Sequence, residues 1–355
     1  QNCMASEMTL DDNIENEGEH MKFNAVVGNP PYQEDDGGAG ASARAIYPDF
    51  VNIARTTSSR YSSVIIPTRW FTGGKHLNEF RESMLNDIHI KELHDCLHPE
   101  EIFPNTNNRG GICYILWDNN YNNEKAKSKT TVVTHGNRNH IEISNRSLKT
   151  RDLGLFIRNA NAISILDKAI PSEATETMSV HISARKPFGI ESNIVKTSDW
   201  HLDSSELSEA VQCYGKGQKL GYVSKSKITS NIDYLDCWKV FTPRANNVGT
   251  ELNDDNLNTF IGKPGQICTE AYIMFGYGLV LNENSAKNLA KYFNTKFVRF
   301  MHSLAKSSHD APRSTYRFVP VVDFNEEWTD EKLYKKYSLN QDEIDLIESS
   351  IKPMD

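Results

Sequence analysis

The stretch FNAVVGNPPY, residues 23–32, joins a short apolar run to a loop that contains two consecutive prolines. The run from Phe23 to Val27 has the length and composition of a buried β-strand. In open α/β sheets, ligands bind in the crevice beyond the carboxyl ends of the strands, which is where a loop beginning at Asn29 must lie. The prolines fix φ at about −65° and remove two backbone donors. The stretch therefore predicts a rigid loop at a ligand-binding edge.

Around this stretch, residues 22–118 alternate short apolar runs with amphipathic segments. This pattern is typical of strands joined by helices across a mostly parallel sheet. We predict an α/β fold with a partial doubly wound, Rossmann-like sheet, and an edge extended near 131–133 and 141–143. The polar run 118–129 is interpreted as a surface hairpin loop. The remaining predicted elements are strands at 62–66, 88–93 and 111–117 and helices at about 46–54 and 75–85.

The pattern changes near residue 151, where short strands, Ser, Asn and Gly become frequent. The apolar stripe of 284–305 predicts the longest helix of this part. Thr329 is a plausible N-cap of a further helix, and another is expected at 341–352. We therefore predict three parts: a partial α/β domain at 1–150, a mixed α+β domain at 151–320 and a C-terminal helical tail at 321–355.

The composition excludes several classes of protein. The chain has 355 residues, of which 38% are hydrophobic and 24% charged, which is typical of a soluble globular protein. The longest nearly apolar stretch, 272–281, is too short to span a membrane. The polar, acidic N-terminus lacks a secretory pattern. Six scattered cysteines suggest neither a disulfide framework nor a zinc ribbon, so we expect a cytoplasmic protein without a membrane partner.

The net charge of −8 would count against nucleic acid as a partner if the charge were evenly distributed. Residues 185–320, however, carry 17 Lys and Arg against 13 Asp and Glu, a local balance of +4. A local positive face is sufficient to attract a phosphate backbone. The middle of the chain is therefore the candidate nucleic-acid interface.

The proline loop has the groups needed to hold an exocyclic amino group. Such a group has two N–H bonds, and the side-chain oxygen of Asn29 and the carbonyl of Pro30 provide two acceptors. Accepting both bonds stabilises the positive charge that develops on the nitrogen when it attacks a methyl sulfonium. Tyr32 offers a face on which a base rotated out of a duplex can stack. The alternative, a plain strand-end turn, is disfavoured by the preceding strand.

The loop Asn29-Pro30-Pro31-Tyr32 after a strand resembles the catalytic motif of S-adenosylmethionine-dependent N6-adenine DNA methyltransferases. The stretches SSVIIPTRWF (62–71), GICYILW (111–117) and TYRFVPVVD (315–323) resemble later parts of the restriction-modification branch. The resemblance implies methyl transfer to adenine in a specific DNA sequence, with Phe103 as a second stacking face. Similar loops serve methyltransferases that act on RNA or on a protein glutamine amide, so these substrates stay open.

In that family the glycine-rich cofactor loop follows the first strand, well upstream of the catalytic motif. Only 28 residues precede Asn29, and they contain no such glycine pattern. The resemblance therefore implies that most of the S-adenosylmethionine pocket lies upstream of this chain, and that the chain alone is an inactive C-terminal fragment. Cofactor-binding residues are left unassigned. His94, Cys96 and His98 lack a fourth ligand, so we predict no metal site.

The resemblance also implies that the second part is a target-recognition domain for double-stranded DNA, partnered by a restriction endonuclease subunit or a fused nuclease domain. The polar, basic loop 307–317 is the preferred DNA-facing segment, and Arg69 is a candidate for the cleft beside the catalytic loop. A non-catalytic DNA-binding specificity module is the alternative from a different class. The basic residues considered for contacts with DNA are Lys216, Lys219, Lys225, Lys227, Arg244, Lys306, Arg313 and Arg317.

Overall fold

The computed structural model describes residues 22–34, 44–72, 76–104, 110–125, 129–136, 141–151, 153–249, 255–306 and 309–354. Within these residues, the first part of the chain forms a six-stranded sheet with the order β1-β2-β4-β3-β5-β6. The predicted α/β class and strands are confirmed. The strands are β1 (Phe23–Gly28), β2 (Ser58–Pro67), β3 (Ile90–Cys96), β4 (Ile112–Asp118), β5 (Thr131–His135) and β6 (Ile141–Asn145).

The strand directions bring several loops to one edge of this sheet. Strands β1, β2, β3 and β5 are parallel, whereas β4 and β6 run the other way. The carboxyl ends of the parallel strands therefore meet at a common edge, which we call the carboxyl edge. Asn29, Thr68 and Leu97 directly follow β1, β2 and β3 there. The candidate loop thus lies where the sequence predicted it.

The two faces of the sheet differ. Helices α1 (Tyr47–Thr57) and α2 (Asn78–Leu85) pack on one face, which we call the covered face. The opposite, open face keeps apolar side chains in solvent, with Val27 79% and Ile143 65% exposed. The described part of the chain thus shows helices on one face of the predicted Rossmann-like sheet. The covered-face core includes Val51, Ala54, Val64, Ile66, Phe80, Met84, Leu93, Ile115 and Trp117.

The second part contains two three-stranded sheets, ordered β11-β7-β8 and β10-β9-β12, together with five helices of the described chain. The strands are β7 (Ala210–Gly215), β8 (Lys219–Ser224), β9 (Lys239–Pro243), β10 (Phe260–Gly262), β11 (Gln266–Cys268) and β12 (Tyr272–Phe275). The helices are α3 (Ala160–Ala169), α4 (Glu283–Asn294), α5 (Lys296–Ser303), α6 (Asp330–Lys336) and α7 (Gln341–Ser350).

The prediction of one long helix over 284–305 is wrong, because Thr295 separates α4 from α5. Its backbone is extended, with φ −64° and ψ 148°, and its side chain accepts a hydrogen bond from the amide of Val298. Thr295 is therefore an N-cap, a role in which threonine stabilises a new helix start. The apolar stripe continues across the break, which is why the periodicity suggested a single helix.

The interpretation of 118–129 as a hairpin loop is also wrong. Strand β4 lies between β2 and β3, and β5 pairs in parallel with β3 rather than with β4. Strand β5 therefore lies on the far side of β3 from β4. A hairpin would require β5 to pair antiparallel with β4.

The C-terminal helices pack onto the second part. Thr329 caps α6 as predicted, since its side chain accepts from the amide of Lys332. The carboxylate of Asp330 accepts hydrogen bonds from the amides of Lys296 and Phe297 at 3.0 and 2.8 Å, which stabilises the start of α5. Leu333 in α6 belongs to the same core as α3, α4 and α5. No helix within the described residues has both the length and the apolar character that crossing a membrane requires.

Candidate active site

Asn29 directly follows β1 at the carboxyl edge, and its side chain is exposed. A Cβ atom placed on Gly28 would meet no atom within 4 Å, so the space in front of this backbone is open. Pro30 is half-buried and Pro31 is exposed. The amide of Asn29 is thus held at the end of a strand and stays accessible, as a group that binds a base must be.

A cavity of about 400 Å³ lies beside Asn29 on the open face. Its wall is mainly apolar, and Asn29, Ser63 and Tyr114 are the lining residues that carry polar groups. Such a composition, apolar with a few polar groups, is typical of small-molecule sites. The cavity is lined by Val27, Gly28, Asn29, Ser63, Ile65 and Tyr114.

Tyr32 lies on the other side of the loop from this cavity. Its ring is half-buried against the covered-face core, and burial raises the pKa of its hydroxyl, with Cys113 adding to the effect. The amide of Ile46 donates to the carbonyl of Tyr32 at 3.2 Å, and Gln33 pairs with Ala45. These two contacts connect the loop to the residues that directly precede α1. The stacking role of Tyr32 stays a prediction.

Arg69 follows β2 at the carboxyl edge, and its side chain is exposed. The adjacent Trp70 and Phe71 are buried, with rings 4.8 Å apart in an edge-to-face arrangement, and belong to the covered-face core. Trp70 and Phe71 are therefore part of the core and do not line an accessible cleft. Arg69 is left as the accessible member of the segment, and its contact with substrate stays a prediction.

Phe103 is half-buried at the end of the loop that follows β3, and its amide donates to the carbonyl of Pro99 at 2.7 Å. Two strands separate β3 from β1, which puts the ends of these strands about 14 Å apart. The loop after β3 must bridge that distance for Phe103 to face a base held at Asn29. The second stacking face therefore stays a prediction.

A buried ion pair lies under the same edge, between strand β3 and the chain that enters the second part. The carboxylate of Asp95 is fully buried on the covered face and lies 3.2 Å from the Nε of Arg158. Arg158 also donates to the hydroxyl of Thr68 at 2.6 Å. Burial raises the pKa of Asp95, although Arg158 and Arg146 oppose this effect. The network connects the ends of β2 and β3 to the second part.

The histidines considered as metal ligands form other contacts. The Nδ1 of His94 lies 3.0 Å from the Nε2 of His135, and its Nε2 lies 3.2 Å from the carboxylate of Glu92. Cys96 is buried, and the Nδ1 of His98 faces Glu100. In the part of the chain that the structure describes, no three His, Cys, Asp or Glu side chains form a group that could hold a metal ion.

The predicted DNA-contacting cations of the second part differ in accessibility. Lys306 is half-buried, and its ammonium donates to the carbonyls of Asn246 and Val248 at 2.6 and 3.0 Å. Because the ammonium of Lys306 is bonded to carbonyls inside the protein, this arrangement argues against a contact between Lys306 and phosphate. Arg313 and Arg317 are exposed. Residues 307 and 308 of the predicted loop 307–317 lie outside the described residues.

Sequence reasoning missed Tyr114, Ser63 and Ile65, which line the cavity with Asn29. A signal was available for Tyr114, because successive residues of a strand point to opposite faces. Its neighbours Cys113 and Ile115 are buried in the covered-face core, so Tyr114 must face the other way. No comparable signal links Arg158 to Asp95, since the two lie on separate elements.

Residues 2–103 match the Eco57I restriction-modification methylase family. The matched segment contains the Asn29 loop, Arg69 and Phe103. The chain is also 34% identical, over 131 residues, to an uncharacterized adenine-specific methylase of Mycoplasma pneumoniae; the aligned part is 36% of this chain and 31% of that protein. The resemblance to adenine methyltransferases of restriction-modification systems is therefore confirmed.

Two solved structures show a distant likeness. The type IIG restriction endonuclease BpuSI has a TM-score of 0.36 and 11% identity, covering 94% of this chain and 49% of its own. The type IIL restriction-modification enzyme MmeI, in complex with DNA, has a TM-score of 0.42 and 12% identity, covering 82% and 45%. Scores this low support no argument about function. The chain spans about a third of the length of the curated relative that it matches.

Proposed function

We propose that this chain is the catalytic-loop part of an adenine-specific DNA methyltransferase, joined to the unit that recognises its target sequence. The observation that carries the proposal is the accessible amide of Asn29 beside an open cavity at the carboxyl end of β1. The match to restriction-modification methylases covers this same loop. The proposed reaction is transfer of a methyl group to the N6 amino group of adenine.

The chemistry follows from the electronic state of the amino group. Its lone pair is delocalised into the purine ring, so the nitrogen is a weak nucleophile. When the side-chain oxygen of Asn29 and the carbonyl of Pro30 accept its two N–H bonds, a pyramidal nitrogen and the charge that develops on it are stabilised. The loop does this without reorganisation, because Pro30 and Pro31 restrict its backbone. Asn29 and Pro30 thus act by positioning acceptors for the transition state.

The adenine must leave the base stack before it reaches this loop. Its amino group is inaccessible inside a duplex, so we expect the nucleotide to rotate out and to stack against Tyr32, with Phe103 on the second side. The open space in front of Gly28 is consistent with entry of a base from the carboxyl edge. The expected partner is double-stranded DNA in the cytoplasm, with a restriction endonuclease subunit or fused nuclease in the same system.

S-adenosylmethionine would supply an electrophilic methyl group at this edge. The described residues fit one end of such a cofactor: the cavity has an apolar wall and the polar groups of Asn29 and Ser63. Its lining contains no carboxylate to hold ribose hydroxyls or an ammonium group. The pocket for those parts is therefore assigned to no residue of this chain.

A methyl-transfer assay on three substrates tests the proposal. The natural protein that contains this sequence is incubated with labelled S-adenosylmethionine and an unmethylated DNA duplex, an RNA of the same sequence, or a glutamine-containing peptide. We expect label in N6-methyladenine of the duplex, identified by mass spectrometry of the nucleosides. Label confined to RNA or peptide would contradict the DNA substrate. Binding of DNA without methyl transfer would instead identify a specificity module.

A further inference from the structure

The hairpin that joins β7 to β8 ends in a fixed turn. Gly215 pairs with Lys219, so residues 216–218 form the tip. Gly217 and Gln218 have φ of 71° and 55°, in the left-handed region. Glycine adopts this region freely, whereas glutamine does so at a cost. Gln218 is therefore held in a conformation that the surrounding structure has to maintain.

The hydroxyl of a buried tyrosine stabilises this conformation of the turn. The hydroxyl of Tyr272 accepts a hydrogen bond from the amide of Gln218 at 2.7 Å and donates to the carbonyl of Gly215 at 3.2 Å. Tyr272 belongs to β12 and is buried in the core below the hairpin. Both ends of the tip are thus connected to one rigid side chain of another strand. The tip is preorganised.

Trp200 packs against two of the hairpin's glycines, Gly215 and Gly221. A Cβ atom on Gly221 would lie 2.3 Å from the ring of Trp200, and one on Gly215 would lie 3.5 Å from it. Glycine at these positions allows the ring to pack directly on the backbone. The turn therefore projects from a braced ribbon, although β8 is an edge strand of its sheet.

The side chains at this tip point into solvent. Lys216, Gln218 and Lys219 are exposed. Among the described residues, neither lysine forms an ion pair, whereas Lys227 pairs with Asp199 and Lys287 with Glu283. The exposed side chains of Lys216, Gln218 and Lys219 therefore have no evident role in stabilising the fold.

From this arrangement we infer that the tip, residues 216–219, enters a groove of double-stranded DNA and contributes to target recognition. The inference rests on the proposed function. A two-stranded ribbon fits the major groove of B-form DNA, in which the glutamine amide can bond the N6 and N7 of adenine. Lys216 and Lys219 then lie where they can contact phosphates on either side. A fixed turn lowers the entropy lost on binding.

A charge-matched pair of variants tests the role of the lysines. Binding of the natural protein that contains this sequence to a duplex is measured from 50 to 300 mM salt. The proteins compared are the wild type, Lys216→Ala/Lys219→Ala, and Lys287→Ala/Lys291→Ala on α4. The control removes the same charge elsewhere. Each lost phosphate contact lowers the slope of log K against log salt by about 0.9, so we expect the tip variant to lose about 2 in slope and the control to lose none.

The glutamine is tested separately with Gln218→Gly, which preserves the left-handed turn. We expect this variant to keep its affinity for random duplex and to lose about tenfold in preference for the target sequence. Thermal unfolding of every variant must match the wild type. If the wild type binds duplex DNA and the tip variant shows an unchanged slope, the hairpin inference is overturned. A wild type that binds no duplex overturns the proposed function itself.

Discussion

The two faces of the six-stranded sheet differ, because one is packed by helices and the other contains the candidate site. The covered face is packed by α1 and α2 and contains a continuous apolar core. The open face exposes Val27 and Ile143 and contains the cavity beside Asn29. Neighbouring residues of one strand therefore belong to different environments, since successive side chains alternate between faces. A substitution on one face should change the free energy of unfolding, and a substitution at the carboxyl edge of the other should change activity.

The largest expected effect is that of Asn29→Ala. Removal of the side-chain oxygen takes away one of two acceptors for the adenine amino group in the transition state. By analogy with the loss of one oxyanion-hole donor, we expect kcat/KM of the natural protein to fall by about 10²- to 10³-fold. The melting temperature should not change, because the side chain is exposed. Methyl transfer kinetics and thermal unfolding are the measurements.

Asn24→Ala is the matched control for this substitution. Asn24 lies on β1, the strand that Asn29 follows, and is also exposed, but it is not part of the cavity lining. Its side chain accepts a hydrogen bond from Ser59 at 3.2 Å. We expect its kcat/KM to equal that of the wild type. Equal activity of Asn29→Ala and Asn24→Ala would contradict the catalytic interpretation of the loop.

Arg158→Ala should have the largest effect on stability. The substitution leaves the carboxylate of Asp95 buried on the covered face without its closest cation. Breaking a buried pair on one side costs about 3–5 kcal/mol, and solvent access to Arg158 favours the lower figure. Urea unfolding measures the loss. The double variant Arg158→Ala/Asp95→Leu should recover much of the stability, and failure to recover it would show that packing rather than charge is responsible.

A feature of the structure could be predicted from the sequence when the residues that determine it are neighbours in the chain. The strand and loop at 23–32 are contiguous, so their place at the carboxyl edge followed from the sequence pattern alone. The pairing of Arg158 with Asp95 depends on tertiary packing and leaves no pattern in the sequence. Thr295 broke a predicted helix because a capping side chain competes with an apolar periodicity that continues past it.

The second part shows the limit of counting charges. Residues 185–320 have a positive balance, which indicated a DNA interface, but the count could not separate cations with different environments. Lys306 and Lys239 donate to backbone carbonyls inside the protein. Lys216 and Lys219 stand exposed on the hairpin tip. Only the fold shows which charges are available to a phosphate.

Adjacent isoleucines in β2 provide a sharper comparison of the two faces. Ile66 is fully buried in the covered-face core, whereas Ile65 is half-buried at the cavity. Ile66→Ala should cost about 2–4 kcal/mol because it removes buried methyl groups and leaves a void. Ile65→Ala should cost less than about 1 kcal/mol and should raise KM instead. Denaturant unfolding of both variants checks this, and equal losses would contradict the division between the faces.

The smallest expected effect is a pH dependence on the open face. A carboxylate only accepts, so the Nε2 of His94 carries the proton shared with Glu92, and its Nδ1 accepts from the Nε2 of His135 at 3.0 Å. Burial, and then the charge of His94, lower the pKa of His135 in the folded state below 6.5. The unfolded chain therefore binds this proton more readily, and the stability that depends on neutral His135 is lost as pH falls below about 6.5.

His135→Gln tests this coupling, because glutamine can donate to the same nitrogen and does not titrate. We expect the melting temperature of the wild type to fall more steeply than that of the variant between pH 7 and pH 5. Both proteins should behave alike above pH 7, where His135 is neutral. Parallel profiles throughout would show that the rings separate on protonation without cost. In that case a positive charge on His135 would cost no more on the open face than in solvent, whereas a charge buried on the covered face would destabilise the protein.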